Sequence, residues 1–164
     1  MVSIDIVRNY VPGVLGRITE LHGKYYSKHW GFGSYFEARV AKDLAEFLER
    51  YDEMRDGLWT ASLDGTVEAS IAIDGLNVKS QGAHLRWFIV SDVLRGTGFG
   101  AKLLDIAIEH CRQRDYSRVY LNTFEGLVAA RHLYEKRGFE LIEQSAGVQW
   151  GSEVHEQKFL LEFR

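Results

Sequence analysis

Three glycines alternate with other residues in the run Arg95-Gly96-Thr97-Gly98-Phe99-Gly100-Ala101. Apolar patterning predicts a strand before this run and an amphipathic helix after it. Glycine has no side chain to keep a phosphate away from the backbone. The first N–H groups of a helix are unpaired and carry partial positive charge. The run therefore predicts a binding site for a diphosphate, with the Arg95 guanidinium adding a full positive charge at its edge.

Two other interpretations of the glycine run stay open on the residues alone. One is a glycine-rich turn that binds nothing. The other is a dinucleotide-binding loop, because Gly96, Gly98 and Ala101 satisfy the pattern GxGxxG/A. That pattern normally follows its strand almost directly, inside a parallel β-α-β unit. Here five residues separate Val90 from Gly96, and the preceding strands are predicted to be antiparallel.

The elements predicted around the loop follow the order β-α-α-β-β-β-α-β-α-β-β, which implies an α/β (α+β) fold with a mixed sheet covered by helices. The clearest helix covers 34–51, and a hairpin turns at Asp64-Gly65. The strand at 83–90 has apolar residues at its odd positions, which are expected to share one face. The other elements are strands at 3–8, at 118–124 and twice near the C-terminus, and helices at 13–27, 98–114 and 126–137.

Composition argues against several classes of function. The chain has 164 residues, 46% of them hydrophobic, which predicts a single domain over 1–164. A net charge of -3 gives no reason to expect nucleic acid. No apolar run could span a membrane and no secretory signal opens the sequence, so we expect a cytoplasmic protein. The one cysteine, Cys111, lies on an apolar helix stripe and is expected to be packed in the core. The histidines are scattered along the sequence, so we expect no metal site.

The glycine run resembles the acetyl-coenzyme A (acetyl-CoA) loop of the GNAT N-acetyltransferase superfamily, whose pattern is Arg/Gln-x-x-Gly-x-Gly/Ala. Arg95, Gly98 and Gly100 match it in register, and Val90 stands where the family tends to have valine. The predicted order of elements is similar to the GNAT fold along the whole chain. The resemblance implies a mostly antiparallel sheet of about seven strands, with a splay between strands four and five and four flanking helices. It also implies acetyl-CoA as co-substrate.

The resemblance assigns contacts along the cofactor. Backbone N–H groups from Arg95 to Gly100 would hold the diphosphate, and the main chain of Phe88 and Val90 would bond the pantetheine amides as an added strand would. The family often has an asparagine touching the cofactor where this chain has Leu127, and Asn122 is the predicted substitute. The cofactor-binding residues expected are Phe88, Ile89, Val90, Arg95, Gly96, Thr97, Gly98, Phe99, Gly100, Ala101, Asn122 and Tyr134.

Acetyl transfer needs a neutral amine and a proton for the leaving thiolate. Residues 129–139 resemble the family signature A-x-x-x-Y-x-K-x-G-F, which implies that Tyr134 is the acid near the coenzyme sulfur. The alternative is a core tyrosine on an apolar helix stripe. Family members with a dedicated base often carry it where this chain has His84, which is otherwise a surface or packing histidine. Glu68, on the neighbouring strand, is a second candidate for the base.

An aromatic, glycine-rich link is predicted between the first two helices, which usually wall the acceptor pocket in the GNAT fold. Aromatic walls with few acids suit a small amine or amino-acid-like acceptor, and they offer cation–π contact. The alternative is that these rings fill the core. The acceptor-binding residues expected are Tyr25, Tyr26, His29, Trp30 and Phe36. This stretch and the Tyr134 segment also resemble the acetyltransferase domain that some bacteria carry fused to MarR-type regulators.

We therefore expect an acetyl-CoA-dependent N-acetyltransferase that acts on a primary amine by direct transfer in a ternary complex. No covalent intermediate is expected, because Cys111 is predicted to be buried. The alternatives are a non-catalytic acyl-CoA-binding module, which Leu127 favours and Tyr134 opposes, and an acetyltransferase of protein amines. A closed aromatic pocket would indicate a small acceptor, and an open groove a protein. A homodimer is expected only by analogy with the superfamily.

Overall fold

The structure is a computed structural model that describes residues 3–164. Its strands form one seven-stranded sheet in the order β1-β2-β3-β4-β5-β7-β6. The prediction of a mixed sheet with four helices is confirmed. The elements are β1 Ile4–Arg8, α1 Val14–Trp30, α2 Ser34–Glu49, β2 Gly57–Leu63, β3 Thr66–Asp74, β4 Ala83–Val90, α3 Phe99–Gln113, β5 Arg118–Phe124, α4 Val128–Lys136, β6 Glu140–Gly147 and β7 Val154–Glu162.

Strands β4 and β5 are the parallel pair, and they diverge as predicted. Their register covers only Ala83 with Val119 and His84 with Tyr120, whereas β5 pairs with β7 along its whole length. Within residues 3–164, the backbone of β4 beyond His84 therefore has no strand partner on the side of β5. A cleft opens in the sheet at this point, and it leaves main-chain donors and acceptors available to a ligand.

A β-bulge in β4 changes the face that its later residues occupy. The pairing with β3 slips by one residue between Arg86 and Ile89, and Trp87 adopts a φ of 48° there. Leu85 packs in the core beside α3, Trp87 packs on the opposite side with α1 and α2, and Phe88 returns to the α3 side. The expectation that the odd positions of this strand share one face is therefore wrong.

Helix α1 is longer than predicted. It runs to Trp30 and ends at Gly31, whose φ of 69° is the left-handed conformation that glycine adopts cheaply after a helix. The aromatic residues assigned to an interhelical link therefore lie in the last two turns of α1, and the link shrinks to 31–33. Tyr26 and Trp30 are four positions apart, so both face the core between α1 and α2.

Apolar cores cover both faces of the sheet. One contains α3 residues packed on β2, β3, β4, β5 and β7, and it includes Cys111. The other lies between the sheet and helices α1 and α2, around Phe47 and Leu58. Burial raises the pKa of the Cys111 thiol to about 12, so it behaves as a packed core residue. None of the helices within residues 3–164 is both long and apolar enough to cross a membrane.

Candidate active site

A cavity of about 1260 Å³ lies where β4 and β5 diverge. The glycine loop and the start of α3 line it, together with aromatic and charged side chains of α1, α2 and β4. Helix α4 and the link between β6 and β7 complete the wall. The part of the chain that the structure describes contains no group of three or more His, Cys, Asp or Glu side chains placed to hold a metal ion.

The glycine loop ends on the first turn of α3. Gly98 is the N-cap residue, with a φ of 87°, and a Cβ placed on it would meet no atom within 4 Å. Among residues 3–164, the N–H groups of Phe99, Gly100 and Ala101 donate no hydrogen bond. Unpaired amides at a helix start, with open space before them, suit an anionic oxygen. The geometry therefore fits the predicted diphosphate site.

Gly100 allows α3 to approach β4 closely. A Cβ on this residue would lie 3.2 Å from Cγ2 of Val90 and 3.6 Å from Cζ of Phe88. The first distance is shorter than an ordinary van der Waals contact, so the Val90 side chain would have to shift by a few tenths of an ångström. Gly100 thus allows the first turn of α3 to lie beside the edge of β4. The predicted contacts of the α3 amides with the diphosphate and of the β4 main chain with the pantetheine are therefore adjacent.

The Arg95 side chain lies against the end of β4. It forms an ion pair with Asp92, donates a hydrogen bond of 3.0 Å to the carbonyl of Val90, and stacks over the Tyr25 ring at 5.0 Å. Its charge is therefore placed at the rim of the cavity by three separate contacts. Thr97 and Phe99 do not line the cavity.

Tyr134 lines the cavity while its ring packs in the core. The ring centroid lies 5.8 to 6.1 Å from those of Phe88, Phe139 and Phe159, and the residue is 6% exposed. Burial raises the pKa of its hydroxyl above the ordinary value, and the nearby Tyr26 phenol acts in the same direction. The hydroxyl therefore keeps its proton across the neutral range, as a proton donor must.

His84 and Asn122 meet at the fork of the splay, and both line the cavity. Asn122 Nδ2 lies 3.5 Å from His84 Nε2, and the His84 ring stacks on Tyr120 with centroids 4.4 Å apart. Burial lowers the pKa of His84 to about 3, and the charge of Arg86 adds to the effect. His84 is therefore neutral at pH 7, and its basicity is well below that of a free imidazole.

Glu68 does not line the cavity. Its Oε1 lies 3.0 Å from Nη2 of Arg17, and its backbone carbonyl accepts a hydrogen bond from Ser91 at the end of β4. The side chain is only 11% exposed. The structure therefore brings His84, rather than Glu68, to the same cavity as Tyr134.

The predicted acceptor residues divide into two groups. Tyr25, Tyr26 and Phe36 line the cavity, whereas His29 and Trp30 do not. His29 lies exposed against Tyr25, with ring centroids 4.6 Å apart. Trp30 packs edge-on against a core phenylalanine, with ring centroids 4.8 Å apart. Trp30 thus packs in the core and His29 lies at the surface, whereas the preceding turn of α1 lines the cavity.

Several polar residues of the cavity wall were missed by the sequence analysis. Arg39 lies one helical turn after Phe36, and Arg86 lies two positions after His84 on the same strand, so helix and strand periodicity could have found them. The link between β6 and β7 carries no local signal, because the fold alone brings it to the cavity. The missed residues include Arg39, Asp43, Arg86, Gln149 and Trp150.

Comparison with known sequences identifies the family. The sequence model of the Acetyltransferase (GNAT) family matches residues 16–139. The uncharacterized N-acetyltransferase YjgM of Escherichia coli (strain K12) is 30% identical over 64% of this chain and 64% of its own length. N-acetylaspartate synthetase of Homo sapiens is 32% identical over 71% of this chain. The matched region spans only 64% and 38% of the lengths of these two relatives.

Solved structures share the fold at low sequence identity. An acetyltransferase from Streptococcus agalactiae 2603 superimposes with a TM-score of 0.77, at 19% identity, over 98% of both chains. The yncA protein of Salmonella typhimurium, whose structure holds its cofactor acetyl-CoA, has a TM-score of 0.72 at 16% identity, over 96% of this chain and 94% of its own. From the family match, which covers more than half of the chain, we conclude that this chain belongs to the Acetyltransferase (GNAT) family.

Proposed function

We propose that the chain transfers the acetyl group of acetyl-CoA to the primary amine of a small or amino-acid-like acceptor, by direct transfer in a ternary complex. The observation that carries the proposal is a single cavity that joins three features. These are the unpaired amides at the start of α3, the free edge of β4 and the Tyr134 side chain. The yncA structure, which contains acetyl-CoA in the same fold, supports the choice of donor.

The residues present fit coenzyme A in shape and polarity. The amides of Gly98 to Ala101 would bind the diphosphate, and Arg95 at the rim would add its charge. The main chain of Phe88 and Val90 has no partner on the side of β5 among residues 3–164, so it can pair with the pantetheine amides. The Val90 carbonyl would share its contact with Arg95, which already donates a hydrogen bond to it. The thioester would then lie between β4 and β5, where the two strands diverge.

Tyr134 would supply the proton that the leaving group needs. The amine forms a C–N bond with the carbonyl carbon, the C–S bond breaks, and the thiolate takes the hydroxyl proton of Tyr134. The proton lost from the amine leaves through the base or water, and solvent reprotonates the tyrosine. A hydroxyl with a raised pKa is protonated at every physiological pH, so the proton is always present.

His84 would receive the amine proton directly or through water. It is neutral at pH 7 and reaches the cavity beside Asn122, whose amide lies 3.5 Å from the imidazole. Its low basicity favours a relay that passes the proton on over a base that keeps it. Glu68 is the weaker candidate, since Arg17 already binds its carboxylate.

Two observations favour a small acceptor over a protein. Rings of Tyr26, Phe36 and Trp150 line the cavity, and aromatic surface of this kind suits a small ligand. Relatives named N-acetylaspartate synthetase are named for a product that is an acetylated amino acid. A non-catalytic acyl-CoA-binding module remains the second candidate, because Leu127 lines the cavity where the family often has asparagine.

A thiol-release assay tests the proposal. The chain is incubated with acetyl-CoA and a panel of amines, amino acids and peptides, and free coenzyme A and acetylated products are measured. We expect turnover well above acetyl-CoA hydrolysis for a small amine and not for peptides. Binding of coenzyme A without turnover on any amine would instead support the non-catalytic module, and preferred acetylation of peptides would support a protein acceptor.

The remaining expectations belong to the same proposal. A bacterial cytoplasmic protein of one domain is consistent with the sequence, and the resemblance to domains fused to MarR-type regulators rests on local similarity alone. Strand β6 lies at the edge of the sheet with exposed residues along its length, which is compatible with a homodimer. Sedimentation analysis distinguishes the monomer from the dimer.

A further inference from the structure

Two guanidinium groups line the part of the cavity that we call its acceptor end, which is defined by Arg39, Asp43 and Arg86. Arg39 comes from α2 and Arg86 from β4, with side chains 41% and 23% exposed, and both line the cavity. Asp43 Oδ2 lies 3.8 Å from Arg39 Nε and 3.6 Å from Arg86 Nη2. Both distances exceed those of hydrogen bonds, so Asp43 lies within ion-pair range of the two arginines without a hydrogen bond to either. Arg39 Nη1 donates a hydrogen bond to the Gln149 carbonyl. Among residues 3–164, Nη2 of Arg39 and Nη2 of Arg86 donate no hydrogen bond.

Neighbouring groups fix the orientation of Arg86. Its guanidinium stacks on the Trp87 ring at 4.2 Å, and its Nη1 lies 3.3 Å from Oδ2 of Asp74. Asp74 is itself bound by Arg50 through two hydrogen bonds of 2.9 and 2.7 Å, so its charge is already balanced. A planar guanidinium held in this way is preorganised for a carboxylate, because little side-chain entropy is lost on binding.

The charged side chains of this cluster that line the cavity carry a net positive charge. They are Arg39, Arg86 and Asp43, two cations and one anion. Arg50, which does not line the cavity, is paired with both Asp74 and Glu46. Among the described residues that line the cavity, Asp43 is the one with an acidic side chain. A polyamine or another multiply charged cation would therefore meet repulsion, whereas an anionic group would be attracted.

We infer that the acceptor is an α-amino acid or a similar primary amine that carries a carboxylate, and that Arg39 and Arg86 bind that carboxylate. This inference rests on the proposed function and narrows its substrate class. Arg86 is two residues from His84 along β4, so a carboxylate held by the arginines leaves the amine near the fork of the splay. The surrounding aromatic rings then accept the body of the acceptor.

The test compares matched acceptors and matched variants. Each of the standard amino acids, as the free compound, is assayed beside its carboxamide and the amine left by its decarboxylation, with acetyl-CoA as donor. We expect at least one acid to exceed its own carboxamide by about tenfold or more in kcat/KM, since charge-assisted hydrogen bonds are lost in the carboxamide. Arg86→Met should raise KM for that acid by about 10- to 100-fold, change kcat little, and remove the preference over the carboxamide.

Lys42→Met is the control, because Lys42 lies exposed on the same helix as Arg39 and does not line the cavity. It should leave all kinetic constants unchanged, whereas Arg39→Met should act as Arg86→Met does. Equal use of acid and carboxamide by the wild-type chain, or preference for a polyamine, would overturn the inference. An equal loss for acids and carboxamides in Arg86→Met would overturn it as well.

A binding measurement separates this inference from the proposed function. The same acids are titrated by calorimetry into wild-type and Arg86→Met protein saturated with coenzyme A. Arginine-dependent binding without acetylation of any amine would support the inference and refute the proposed function. Acetylation of amines without preference for a carboxylate would support the proposed function and refute the inference. Neither binding nor acetylation of any acid would overturn the inference.

Discussion

Replacement of Gly98 by aspartate is expected to weaken coenzyme A binding through charge. Gly98 has a φ of 87° and open space in front of it, so a side chain added there enters the region before the α3 amides. Asparagine and aspartate tolerate this left-handed conformation better than most residues and have nearly the same size. The pair Gly98→Asn and Gly98→Asp therefore shares its steric and backbone effects and differs in one negative charge.

The magnitude follows from the distance between the added carboxylate and the bound phosphate. A group hydrogen-bonded to the first amides of α3 would lie about 6 Å from a carboxylate on the N-cap residue. Two unit charges at that distance repel by about 0.7 to 1.4 kcal/mol at an effective dielectric constant of about 80 to 40. A diphosphate with about two charges doubles this cost, so Gly98→Asp should bind coenzyme A about 10- to 100-fold more weakly than Gly98→Asn.

Isothermal titration with coenzyme A at low and high salt measures this difference. The gap between the two variants should shrink at high salt, because the ions screen a repulsion at the solvent-exposed rim of the cavity. Circular dichroism confirms that both variants are folded. Equal affinity of the two variants at low salt, or wild-type affinity in both, would refute the placement of the diphosphate at the start of α3.

Three further predictions concern acid–base groups. Tyr134→Phe removes the proton-donating hydroxyl, so kcat should fall by about 10²- to 10⁴-fold. Because the ring packing is kept, calorimetry should find the affinity for coenzyme A unchanged. An unchanged kcat would exclude Tyr134 as the acid. His84→Gln should reduce turnover more than Glu68→Gln, whose main effect should be a lower melting temperature from the lost Arg17 contact; the opposite ranking would favour Glu68 as the base. Burial lowers the pKa of His22 to about 4, so between pH 6.5 and 4 the unfolded chain binds a proton at this residue and the folded chain does not. The free energy of unfolding should therefore fall as the pH drops through this range, by up to about 1.4 kcal/mol per pH unit from this residue. Urea denaturation at several pH values should show a weaker dependence of the unfolding free energy on pH in His22→Gln.

Local patterns in the sequence predicted the helices and strands well, because residue periodicity and turn residues depend on the conformation of the backbone segment that carries them. The hairpin at Asp64-Gly65, the strand that leads to the glycine loop, and the order of all strands agree with the structure. Helix α1 was underestimated because glycine and aromatic residues near its end were interpreted as a link. Gly31 ends the helix by its left-handed conformation, and the aromatic residues before it remain helical.

The bulge at Trp87 could not be predicted from alternation. A strand pattern assumes that each residue pairs with one partner, and an extra residue reverses the faces that follow. This reversal places Trp87 under Arg86 and sends Phe88 toward the cofactor side, so it decides which residues form the acceptor end. Gln149 and Trp150 were missed for a different reason, since only the tertiary fold brings their link to the cavity.

A crystal structure of the chain grown with acetyl-CoA would locate the bound cofactor. We expect diphosphate oxygens within about 3.2 Å of the amides between Gly98 and Ala101, with the thioester between β4 and β5 beside Tyr134. Electron density for the diphosphate at any other surface of the protein would contradict this expectation.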